Sequence, residues 1–223
     1  MDKLPTQIPI FPLTGVILLP KGHLPLNIFE PRYLDMIEHA KNAGSVIGMI
    51  QSTERQLDPE DNDNFGTAKE GCPIYNIGCA GLIADIEKTD EGQYIIVLTG
   101  LRRFKIIDEV ASDQKFRTFN VSYDNYMKDG DGQPENEEPL IEYFSRTLKK
   151  YLAILEIEIN LEDFEGIETE ENINSMAMIC PFDGDEKQML LEIPTLMERI
   201  NLMIKIMEFN ISGQKTDPQN NVH

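Results

Sequence analysis

IPIFPLTGVILLPKGHLPLNIFEPRYLDMI, residues 8–37, holds the switch that decides the fold. Its first part is a series of short apolar runs broken by prolines. Proline has no amide donor, so Gln7–Leu13, with Pro9 and Pro12, is expected at a sheet edge or a bulge. Leu24–Glu30 reads as a second extended run. Pro31 disfavours the α region for Glu30, yet it suits the first turn of a helix. Behind it Tyr33, Leu34, Ile37 and Ala40 recur at helical spacing, and Gly44 stops the run.

Outward from this stretch the strand pattern continues. Ser45–Ser52 is expected as a buried strand, and residues 53–71 as a polar, acidic, exposed loop. Ile74–Ile86 and Tyr94–Leu101 are rich in β-formers. Thr89-Asp90-Glu91-Gly92 between them supplies turn chemistry, with Gly92 free to take positive φ. Gly78 and Gly81 point to a bulge or bend. Arg103–Ile107 extends the sheet, and Phe119, Val121 and Tyr123 alternate with polar residues as in a half-buried strand. Many short strands with one early helix imply a small twisted barrel or a pair of sheets.

The period changes after the Gly-, Pro- and acid-rich stretch around 127–137, an expected linker. Leu140, Ile141, Phe144, Leu148, Tyr151, Leu152 and Leu155 form a helical stripe over residues 138–158. Glu170–Cys180 and Asp185–Glu192 read as two further helices. Pro194 opens a last one carrying Leu196, Met197, Ile200, Met203, Ile204 and Met207. The expected organisation is α+β: a β-rich part, 1–126, a helical part, 138–211, and a flexible tail, 212–223.

The chain has 39 acidic and 20 basic residues, a net charge of −19. Residues 1–126 hold 12 basic and 18 acidic residues, and residues 127–223 hold 8 and 21. Such a balance argues against nucleic acid and anionic membrane as partners. Three cysteines, Cys72, Cys79 and Cys180, make neither a disulfide framework nor a zinc set. No window approaches the ~18 apolar residues of a membrane span, and no secretory leader pattern is visible. A cytoplasmic location is expected.

Motifs of catalysis are missing from the 223 residues. There is no GxxxxGK[ST] phosphate loop, no GxSxG elbow and no GxGxxG fingerprint. His23, His39 and His223 have no metal-ligand spacing. Asp58–Asp63 offers oxygen ligands but lacks the glycine and closing glutamate of a calcium loop. Acidic pairs such as Glu162-Asp163 and Glu170-Glu171 read as solvated charge. No catalytic residue, cofactor or metal is expected. The competing reading is a small-molecule enzyme or hydrolase built from Glu30, Arg32, His23 and Asp85, which nothing in their spacing demands.

Apolar side chains carry the stronger signal. Phe11, Leu13, Leu26 and Phe29 are either core or the wall of a groove at the sheet edge. A groove there would take an extended chain by strand addition, where backbone hydrogen bonds give sequence-tolerant affinity. Six of the ten methionines, Met197 and Met203 among them, fall in the last helical third. Most are expected as core, a few as groove lining. Glu30, Pro31, Arg32 and Tyr33 are expected to lock the strand-to-helix corner. Arg103, following Gly100 at a strand end, is expected to tie the hairpin to a loop carbonyl.

Three ordered blocks together resemble a known family. They are residues 8–37, quoted above, IGCAGLIADIEKTDEGQYIIVLTGLRRFKI (77–106) and SMAMICPFDGDEKQMLLEIPTLMERINLMIKIM (175–207). The chain is similar to the amino-terminal domain of Lon proteases, found also in cereblon and in stand-alone bacterial proteins. The resemblance implies a PUA-like β-rich pseudo-barrel followed by a helical bundle. It implies capture of unfolded or damaged polypeptides, with a Lon-type protease as a possible partner. Family members cut with an ATPase and a Ser-Lys protease module, and neither is expected here. The resulting expectation is a stand-alone, non-enzymatic polypeptide-binding module, an adaptor in protein quality control.

Overall fold

The structure, a computed structural model, describes residues 4–53, 71–130, 138–157 and 169–214. The calcium-like segment Asp58–Asp63, most of the expected loop and linker, Glu162-Asp163 and the end of the tail lie outside these residues. The fold is α+β. Six strands form one mixed sheet: β1 (Gln7–Leu13), β2 (His23–Ile28), β3 (Val46–Ser52), β4 (Ile74–Lys88), β5 (Tyr94–Val110) and β6 (Thr118–Ser122). Among the described residues five α-helices accompany them: α1 (Pro31–Asn42), α2 (Glu138–Ile154), α3 (Thr169–Ile179), α4 (Gly184–Glu192) and α5 (Leu196–Gln214).

Strand order is β2-β5-β4-β3-β1-β6, and β6 pairs again with β5. Five strands thus close into a ring, and β2 hangs on the outside of β5 as an edge. β5 makes this possible by its length of 17 residues. Its first part pairs β2 through Tyr94–Thr99, and its last part pairs β6 through Lys105–Val110. β4 follows it along the other side with two register shifts, one at Ala80/Gly81. Each shift adds bend and twist, which is what closing so few strands requires.

The expected edge position of β1 needs correcting. β1 lies between β3 and β6, parallel to the first and antiparallel to the second. Its prolines survive there because the pairing is divided. Gln7–Pro9 pair with β6 and Ile10–Leu13 pair with β3. Each proline therefore has only one strand partner to satisfy, although the strand as a whole is internal.

Ile8, Ile10, Val46, Ile50, Ala80, Phe104, Phe119 and Val121 come from all five ring strands and fill the barrel. Gly48 and Gly78 make room for them. A Cβ on Gly78 would sit 2.4 Å from the Met49 carbonyl oxygen and 2.6 Å from the Phe104 ring. A second, larger cluster joins sheet residues such as Phe11, Ile28 and Leu98 to α1 and to Leu148, Ile173 and Met203 of the helices. Full burial of a side chain of this size contributes about 1.5–3 kcal/mol. The helices are held to the barrel by one continuous apolar core. Among the described residues, no helix is long and apolar enough to cross a membrane.

Helix ends follow their local chemistry. Gly44, at φ +90°, ends α1, and the Ser45 N–H donates to the Ala40 carbonyl, 2.8 Å. Asp183 and Glu186 form a reciprocal capping box on α4. Gly92, at φ +82°, completes the turn between β4 and β5.

Candidate functional site

The corner from β2 to α1 is built from its own sequence. Pro31 starts α1, and the Glu30 carbonyl accepts the Tyr33 and Leu34 N–H groups, both at 2.9 Å. The Glu30 carboxylate takes the Arg32 Nε–H at 2.9 Å, and the Arg32 guanidinium lies 4.5 Å from the Tyr33 ring centre. Tyr33 in turn packs edge-on against Phe11. Neighbouring side chains thus clamp the turn, and Phe11 packs against it from β1.

Immediately before this corner, β2 presents an open flank. It pairs with β5 alone among the described strands. Leu24, Leu26 and Ile28 face the core, Leu24 and Leu26 half-buried. On the other face Pro25 and Asn27 are exposed, and Ile95 sits opposite Asn27 with 46% of its surface in solvent. Phe29 follows, 57% exposed. An exposed edge strand beside two bulky apolar side chains is chemistry for meeting another chain.

The residues expected to line a groove do not act together. Leu26 and Phe29 lie at this edge, Leu26 half-buried and Phe29 projecting. Phe11, Leu13 and Met203 retain 2%, 5% and 0% exposure. They are packing residues, and no peptide reaches them while the core is closed. Met197 is half-buried at the start of α5, packed against the main core. The sequence pattern could not separate the two roles, because a strand buried on both faces and a strand beside a groove are equally apolar.

Gly100 and Arg103 have a different task. A Cβ on Gly100 would meet the Leu19 carbonyl oxygen at 1.9 Å. The chain at 19–22 lies directly on β5 here: Lys21 N–H donates to the Gly100 carbonyl and Gly100 N–H to that of Gly22. Arg103 is buried and uses all five guanidinium N–H donors. It bonds the Asp129 carboxylate through Nε and Nη2, the latter at 2.6 Å. Its remaining donors go to the carbonyls of Leu191, Ile193 and Pro194. Those carbonyls close α4, so a barrel arginine caps a helix of the other half. Arg199 assists from α5, donating to the Leu190 carbonyl and to Asn174. Burial lowers its pKa to about 9.

The four groups of the enzyme reading do not converge. His23 is exposed beside Thr99 and Glu171, and Asp85 is exposed and accepts the Ile86 N–H. Arg32 lines a cleft of about 370 Å³, whose walls include neither Glu30, His23 nor Asp85.

Comparison with known proteins decides the family. The model of the ATP-dependent protease La (LON) substrate-binding domain matches residues 7–208. The chain belongs to the Lon substrate-binding domain family. A Lon protease of Flavobacterium johnsoniae is 26% identical over 229 aligned residues, covering 99% of this chain and 26% of that protein. A second, from Anaeromyxobacter dehalogenans, is 24% identical across 92% of this chain and 23% of its own length. The chain thus spans about a quarter of these relatives. Among solved structures, a Lon N-terminal domain protein from Xanthomonas campestris superposes with a TM-score of 0.59. It is 21% identical, and the match covers 90% of this chain and 98% of that one. The N-terminal domain of a Mycobacterium avium complex Lon protease gives 0.57 at 15% identity. In this Lon-type domain, sequence reading missed Ile95, Asp129 and Arg199. Arg199 left a trace: it falls among Leu196, Ile200 and Met203 on the apolar stripe of α5.

Proposed function

We propose that this chain is a non-enzymatic polypeptide-binding module that captures unfolded or damaged proteins. It acts as an adaptor in quality control, in the service of a Lon-type protease. The observation that carries the reading is the open β2 edge, with Phe29 and Ile95 exposed beside it, in a domain of the substrate-binding family. An incoming extended segment adds its backbone to β2 and lays apolar side chains on Phe29 and Ile95. Pro25 removes one donor from the edge, which limits pairing between copies of the chain. The net charge of −19 favours basic segments and keeps the complex sensitive to salt.

The test is an amide-resolved NMR titration with a permanently unfolded, basic polypeptide. Shifts are expected along β2 and the start of β5, saturating with added polypeptide. The double variant Phe29→Ser, Ile95→Ser is expected to weaken binding about tenfold, the equivalent of ~1.4 kcal/mol of lost apolar contact. Saturable binding that ignores both substitutions rules out this edge as the site.

A further inference from the structure

The open flank of β2 has a phase, and the backbone fixes it. The Gly100 N–H donates to the Gly22 carbonyl at 2.9 Å, just ahead of the strand. In an antiparallel pair such bonded positions recur at every second residue. Carried along the register, Leu24, Leu26 and Ile28 turn N–H and C=O toward Leu98, Ile96 and Tyr94 of β5. His23, Pro25 and Asn27 turn theirs away from β5, where no described strand takes them. Pro25, with no N–H to give, sits on the phase where the ladder to β5 loses nothing. The flank therefore offers the N–H groups of His23 and Asn27, and the carbonyls of His23, Pro25 and Asn27.

The side chains are incomplete in the same place. Leu24 and Leu26 face the core yet stay half-buried, whereas their partners on β5, Leu98 and Ile96, are sealed at 0% exposure. The apolar layer under the sheet is thus closed at β5 and unfinished at β2. On the opposite face Pro25 and Ile95 are exposed, and Phe29 follows. A strand added here would alternate its side chains between these two faces, and both present apolar surface. The start of β2 is held from α3. Glu170 lies 3.0 Å from the Lys21 Nζ, and the Asn174 amide donates to the Pro20 carbonyl at 2.8 Å. A strand fixed in advance loses little freedom when it meets a partner.

We propose that the β2 edge selects extended segments that are apolar at successive positions, the pattern of a strand buried on both faces in its own native protein. This rests on the reading of β2 as the binding edge and names the substrate class of that edge. Side chains on one face of the segment complete the layer of Leu24 and Leu26, and those on the other meet Pro25, Ile95 and Phe29. Alternate backbone N–H groups of the segment donate to the His23, Pro25 and Asn27 carbonyls, and the His23 and Asn27 N–H groups donate back. A segment polar on one face either leaves Leu24 and Leu26 uncovered or sets polar groups on them. Segments apolar on both faces are sealed inside folded proteins and reach this edge only after unfolding. Basic flanks add attraction to a chain of net charge −19.

The experiment begins with hydrogen exchange on the free chain. The amides of Leu24, Leu26 and Ile28 are expected to exchange slowly and those of His23 and Asn27 fast, and the reverse order overturns the phase. The whole chain is then titrated with two capped nonapeptides, KKVLVLVKK and the same peptide with serine at both leucines, followed by amide shifts along β2 and β5. The first is expected to bind about tenfold more tightly and to slow exchange at His23 and Asn27. Two N-methyl groups on alternate residues of that peptide spoil one backbone edge and spare the other, so affinity is expected to stay within about twofold. Two on adjacent residues spoil both edges, and a loss of about tenfold is expected. Asn27→Pro removes an outward N–H and no bond to β5, so about fivefold weaker binding with an unchanged melting temperature is expected. Equal affinity for the two peptides, or equal loss from the two methyl placements, overturns the proposal while binding at the edge stands. A first peptide that binds elsewhere, or not at all, overturns both.

Discussion

Arg103 and Arg117 have the same guanidinium and opposite occupations. Arg103 lies where the barrel meets α4, with every donor engaged, its ring partner Tyr126 at 4.2 Å and almost no solvent contact. Arg117 lies in an open cleft with donors to spare, next to a tyrosine hydroxyl that bonds nothing described. The first arrangement holds the molecule together and has no capacity left for a ligand. The second is half-exposed, ties Glu109 and the Cys72 carbonyl together over the Phe119 ring, and shares its place with water. The difference is burial: the same hydrogen bonds count for more in a dry interior, where a lost partner leaves groups unsatisfied, than beside water.

The contrast breaks first at Arg103. Arg103→Ala is expected to cost about 3–5 kcal/mol, because Asp129 and three carbonyls are left buried without a partner. Chemical denaturation measures it, and a loss below ~1 kcal/mol contradicts the rivet. Gly100→Ala comes next. The 1.9 Å clash with backbone cannot be relieved by a rotamer, so about 2–3 kcal/mol is expected, again by denaturation.

An effect that appears only at alkaline pH, and is absent near neutrality, concerns thiols. Burial pushes the Cys180 thiol up to about 12, and raises that of Cys79 as well. The folded state therefore keeps protons that the unfolded chain releases above about pH 9. Stability is expected to fall as pH rises from about 9 towards 12, by up to ~1.4 kcal/mol per pH unit for each thiol. Cys180→Ala flattens that slope in a pH series of melts, and a slope that does not change sinks the assignment. Tyr33→Phe is the smallest. It removes a hydroxyl that contributes no bond, so stability is expected to stay within ~0.5 kcal/mol or to rise. A loss above ~1 kcal/mol shows that the hydroxyl is structural and erases the contrast with Arg103.

Much of the architecture was legible because it is local. The Pro31 helix start, the Gly44 stop and the Thr89–Gly92 turn each depend on a few adjacent residues. Hydrophobic period separated strands from helices at the observed places, including the four helices after residue 138. Less was legible at the candidate site. Leu26 and Phe29 were read with Phe11 and Leu13 as one group, yet Phe11 and Leu13 went to the core. Apolar character predicts that a residue leaves water, and says nothing about which of two faces provides the shelter.

By itself the sequence determined the order of elements, the change from β to α, the acidic surface and the family, because backbone preferences and side-chain period act within a few residues. The tertiary structure decided the rest. It made β1 internal, β2 the edge, and Arg103 a clamp across 88 to 91 residues of chain to α4. Which donors end up saturated depends on groups far apart in the chain arriving at the same place, and that distance is written in no local pattern.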